Sequence, residues 1–100
     1  IYYLKWSNNL SSIKIIELEK DQFSVEVIDK KTTFHKIIIS DEIHKNLTDG
    51  LVSKKQLLEK SFEFLLEREP NTSILTNFEI QLISNYFSDY ENYISSWSKI

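Results

Sequence analysis

The order of apolar and polar positions changes its period once along the chain. Between Ile13 and Ile39 it follows the alternation of strands, and beyond Ser40 it follows the spacing of helices. "FSVEVI" (23–28) is the clearest strand: Phe23, Val25 and Val27 fall on one face, Ser24 and Glu26 on the other. "IKIIELE" (13–19) and "TFHKIII" (33–39) flank it, joined by turns at "KDQ" (20–22) and "DKKT" (29–32). Turns this short leave no room for a parallel crossover, so the three strands form an antiparallel meander. "IYYLKW" (1–6) is also rich in strand formers and would add a fourth strand, set off by the polar "SNNLSS" (7–12).

The helical half begins at Ser40, placed to cap a short helix with Asp41 and Glu42 in its first turn. Ile43 and Leu47 form its apolar side, and Gly50 is the expected left-handed terminator. Ser53 opens the strongest helix: in "SKKQ" the Ser53 hydroxyl and the Gln56 side chain each satisfy a free backbone N–H. Leu57, Leu58, Phe62, Leu65 and Leu66 make its apolar stripe, and Pro70 stops it. "NTSIL" (71–75) is a connection or a helical turn, and "NFEIQLISNYF" (77–87) reads as a further helix. "SDYE" (88–91) is a second capping box, with Phe87 as its staple, opening a last helix through about Ser98. Strands first and helices second predict an α+β fold. The expected architecture is an antiparallel meander of three strands, or four with the N-terminal segment, followed by about four helices packed on one face. One domain should span 1–100, strand-rich over 1–40 and helical over 41–98.

One hundred residues, 41% hydrophobic and 13% aromatic, suffice for a single modest core. Gly and Pro occur once each, which leaves no flexible linker. No apolar run approaches membrane-spanning length, and no signal-peptide pattern is present. The chain opens on Ile rather than Met, which leaves open whether residues precede it. Without cysteine there are no disulfides, thiol nucleophiles or cysteine zinc sites, though this says little about compartment; a cytoplasmic location, the commoner case for such a domain, is expected. Abundant Ile, Lys, Asn and Ser with no Ala fit an AT-rich genome. The net charge is −3 and Arg68 is the lone arginine, thin equipment for reading nucleic acid.

Candidate chemistry is sparse. His35 and His44 are the only histidines, and no HxxxH or HExxH spacing exists, so no metal site is expected. Glu59, Glu63 and Glu67 recur every four residues as a solvated stripe, offset partly by Lys55 and Lys60. Gly50 alone builds no phosphate loop, and no serine sits in a GxSxG elbow. No catalytic, cofactor or metal residue is nominated, and no enzymatic role is expected. The most pointed feature is aromatic: Tyr86, Tyr90, Tyr93 and Trp97, with Phe87 and Ile94 beside them. On a continuous helix they would share one face, which either closes the core or binds a partner, whereas a break at Ser88 would split them. The expected partner is a protein or a second copy, joined through that face or through an open sheet edge such as "TFHKIII" or "IYYLKW". Neither nucleic acid nor membrane is expected.

Two segments bear a resemblance to known types. Residues 34–69 place "HKIII", "SDEIHKNL", the "DG" turn and "SKKQLLEKSFEFLLERE" in the order of a ribbon-helix-helix unit, which they resemble. That resemblance implies a dimer whose paired strands read the major groove through alternate side chains. Here these are Phe34, Lys36 and Ile38, or else His35, Ile37 and Ile39; neither trio is the polar set that base edges need. As a DNA-binding regulator, the alternative reading, the chain would rely on His35, Lys36 and Lys54. "SFEFLLEREPNTSILTNFEIQLISNYFSDYE" (61–91) is similar to small uncharacterised bacterial proteins with an "FLLERE" helix and a later "F…I…YF" segment. That similarity implies no activity and transfers no site. The first expectation is therefore a small non-catalytic interaction module or homo-oligomer.

Overall fold

The computed structural model describes residues 12–99, so the strand expected over 1–6 lies outside the described residues. Three strands, β1 (Ser12–Glu17), β2 (Gln22–Ile28) and β3 (Thr32–Ile38), form the expected antiparallel meander. Its register sets Val25 opposite both Ile15 and His35, and Ser24 opposite both Ile16 and Lys36. Alternation along β2 therefore becomes a two-faced sheet: Phe23, Val25, Val27, His35 and Ile37 point to the core. The turn from β1 to β2 holds Asp21 at φ 67°, where its carbonyl accepts from the Ile39 N–H.

Helix α1 (Asp41–Thr48) begins at Ser40, whose hydroxyl accepts from the Ile43 N–H as expected. Its left-handed end takes two residues, Asp49 (φ 56°) and Gly50 (φ 74°). Helix α2 (Lys54–Leu66) starts with the full Ser53–Gln56 capping box. Its buried side is wider than the stripe of Leu57, Leu58, Phe62, Leu65 and Leu66, because Ser61 and Phe64 are buried too. One flank meets the sheet, where Phe62 lies 5.4 Å from the His35 ring and 6.4 Å from Phe78. The other flank meets the last helix, α4 (Tyr90–Ser98), through Phe64 and Ser61.

Between α2 and α4 the chain departs from expectation. Residues 77–87 are not one helix: Asn77–Glu79 is a fourth strand, β4, followed by a 3-10 turn (Ile80–Leu82) and the single-turn helix α3 (Ile83–Tyr86). β4 adds to the sheet parallel to β3, giving the order β1-β2-β3-β4. The apolar spacing at Phe78, Ile80 and Ile83 fits either element, and the unpaired edge of β3 decides in favour of a strand. Nor does Ser88 cap the last helix; Asp89 stands at that position without a side-chain cap bond, and the Tyr90 N–H goes to the Phe87 carbonyl. All four helices and the described sheet form an α+β fold, and no helix among the described residues is long and apolar enough to cross a membrane.

Candidate functional site

The four aromatic residues of the C-terminal stripe occupy three different environments. Phe87 takes an extended backbone (φ −134°, ψ 102°), so α3 and α4 do not form one helix and the stripe is broken. Tyr90 is wholly buried: its ring meets Phe64 edge-on at 5.3 Å, and its hydroxyl lies 2.6 Å from Ser61 Oγ. The Ser61 hydroxyl donates to the Leu57 carbonyl at 2.7 Å, so Tyr90 is the donor to Ser61. As a contact for a partner, Tyr90 is thus corrected to a core residue. Tyr93 and Trp97 are half-buried under the Lys60 ammonium, 5.8 Å from each ring. Tyr86 alone stands free, 67% exposed.

Tyr86 stands at the rim of an apolar groove of about 410 Å³. Leu65, Ile74 and Ile83 are buried in its wall, and Phe78, Leu82 and Phe87 are half-buried there. Leu75, 46% exposed, forms another part of its apolar rim. Glu69, just past the end of α2, contributes the one acidic side chain to the lining among the described residues. The preceding Arg68 turns elsewhere: its guanidinium stacks 3.5 Å from the Phe64 ring and pairs with Asp89 at 2.9 Å.

A chain of hydrogen bonds fixes the loop that carries this rim. The Asn71 amide donates to the Lys31 carbonyl and to Thr33 Oγ1, each at 2.8 Å. Thr33 in turn donates its hydroxyl proton to His35 Nε2 at 2.8 Å, which leaves His35 Nδ1–H to donate to the Leu75 carbonyl at 2.7 Å. The Lys36 N–H then donates to the Thr76 carbonyl at 2.7 Å, immediately before β4. Burial lowers the His35 pKa from its ordinary 6.5, only partly opposed by the Leu75 bond. A lowered folded-state value means that the unfolded chain takes up the proton first as the solution is acidified. The contribution of neutral His35 is thus complete above about pH 6.5 and declines as the pH falls toward the lower folded-state value. Urea unfolding should show this decline, at no more than about 1.4 kcal/mol per pH unit from one proton. His35→Asn, which keeps a donor for Leu75, should flatten that part of the profile. An unchanged slope in the variant would remove His35 as its origin.

The residues nominated for DNA contact do not converge. His35 is 2% exposed inside the network just described. Lys36 lies on the outer face of the sheet, level with Ser24 and Ile16. Lys54 is held between Asp21 (2.5 Å) and Asp41 (2.6 Å); burial works against its charge, but the two carboxylates raise its pKa overall. His44, the second histidine, donates from Nε2 to the Val52 carbonyl. No group of three or more potential metal ligands occurs among the described residues. The sheet edge proposed for self-association is partly closed, since β3 pairs with β4 over Lys36–Ile38. β1 pairs with β2 alone among the described residues, and Ile16 and Phe34 stand 62% and 61% exposed on the outer face.

Of the residues nominated from the sequence, Tyr86 lines this groove; Glu69 and Leu75, which line it too, were not nominated. No protein family, curated protein or solved structure matches the chain.

Proposed function

We propose that the protein is a protein–protein interaction module that holds an apolar segment of a partner in the groove between the end of α2, β4 and α3. The observation that carries this reading is an open apolar groove whose rim exposes Tyr86 and Leu75. A monomeric surface gains nothing by leaving such side chains unburied beside a hollow, whereas a partner's apolar side chains would remove both from water. Tyrosine suits the rim because its ring offers a large contact area and its hydroxyl stays wet. The hydrogen bonds from Asn71, His35 and Lys36 hold the loop before binding, so little ordering is left for the binding step.

Panning a random peptide library on the purified protein tests the proposal. Leu75→Ser/Tyr86→Ser serves as the comparison, because both side chains are exposed and the fold should survive their loss. Peptides with paired apolar residues should be retained by the wild-type protein and not by the variant. Tyr86→Ala alone should weaken an enriched peptide by about 2 kcal/mol, a loss of roughly 30-fold. Equal retention by both proteins would contradict the proposal.

A further inference from the structure

We infer that the segment docked in the groove carries a lysine or arginine beside its apolar anchors, with Glu69 as the counter-charge. This deepens the docking proposal and rests on it. Glu69 lines the groove and is half-buried, yet among the described residues its carboxylate has no ion pair and no hydrogen bond. Its neighbour Arg68 is spent on Asp89 and Glu67. From Glu69 to Ser98 the sequence holds three further acidic residues, Glu79, Asp89 and Glu91, and no lysine or arginine. Among the described residues no basic side chain lines the groove.

A carboxylate withdrawn from water without a partner costs free energy, and burial raises the Glu69 pKa accordingly. Among the described residues no side chain or backbone N–H repays that cost, and the Arg68 and Glu69 N–H groups at the helix end go to the Leu65 carbonyl. An arriving cation would repay it, by supplying the opposite charge at the moment the groove is closed from solvent. The same placement disfavours acidic segments, whose charge would meet Glu69 unscreened. A protein segment fits better than a small molecule because the hollow is open and its apolar rim extends beyond it at Leu75 and Tyr86.

The peptide library provides the test, read for charge rather than for retention. Peptides enriched on the wild-type protein should combine apolar residues with Lys or Arg. Glu69→Gln should weaken such a peptide about fivefold, and should not weaken its Lys-to-Gln counterpart. Glu69→Lys should redirect selection toward Asp and Glu. Apolar peptides enriched without basic residues, and indifferent to both Glu69 variants, would overturn this inference while leaving the docking proposal standing. No enrichment over Leu75→Ser/Tyr86→Ser would overturn both.

Discussion

Phe64→Ala should lower the stability of the fold by about 3–5 kcal/mol. The Phe64 ring is where α2 and the C-terminal segment meet: Phe87, Tyr90 and Tyr93 contact it edge-on at 5.7, 5.3 and 4.9 Å. The Arg68 guanidinium covers it at 3.5 Å, so the same ring also anchors the ion pair to Asp89. Alanine would leave a cavity bounded by Phe87, at the end of α3, and by Tyr90 and Tyr93 on α4, rings held by their own elements and unable all to collapse into it. Natural domains of this size keep only about 5–15 kcal/mol of net stability, so the variant should unfold at a much lower urea concentration. Phe64→Leu should fall between the two. A loss below about 1 kcal/mol for the alanine variant, the range of ordinary surface substitutions, would mean that α4 is not docked as described.

Tyr90 separates packing from hydrogen bonding. Tyr90→Ala should cost about 3–5 kcal/mol, because the ring is wholly buried against Phe64. Tyr90→Phe keeps the ring and loses only the bond to Ser61, which still donates to Leu57, so about 1 kcal/mol is expected. Phe64 and Tyr90 touch, so the double alanine variant should lose less than the sum of the single losses. Urea unfolding of the wild type, Phe64→Ala, Tyr90→Ala, Tyr90→Phe and the double alanine variant measures all of this. If Tyr90→Ala folded as stably as the wild type, the residue would be a surface contact after all.

Tyr90 also shows how far the sequence could be read. Local signals were legible wherever one element decides its own geometry: the alternation of β2, the Ser40 cap, the Ser53–Gln56 box and the stop at Pro70. The C-terminal third was harder because its geometry depends on distant partners. Phe78 becomes part of a strand because Ile37, far back in the chain, offers it a sheet edge. Phe87 leaves the helix, and Tyr90 turns into the core, where Ser61 accepts its hydroxyl proton. Spacing alone put Tyr86, Tyr90, Tyr93 and Trp97 on one face, yet only Tyr86 ended at the groove. Phe64 escaped the apolar stripe of α2 because that helix packs on two sides, one of them against an element with its own uncertain start. Glu69 carried no signal: a glutamate before a proline at a helix end is ordinary until the hollow beside it is seen.

We propose that the groove between the end of α2, β4 and α3 is where this protein meets its partner. Amide chemical-shift mapping with a peptide selected on the protein tests it most directly. The largest shifts should fall on Leu65, Glu69, Ser73–Leu75, Phe78 and Leu82–Phe87, with the outer face of β1 and β3 unmoved. Shifts concentrated on Lys14, Ile16, Phe34 and Lys36, with the groove silent, would contradict it and place the binding surface on the outside of the sheet.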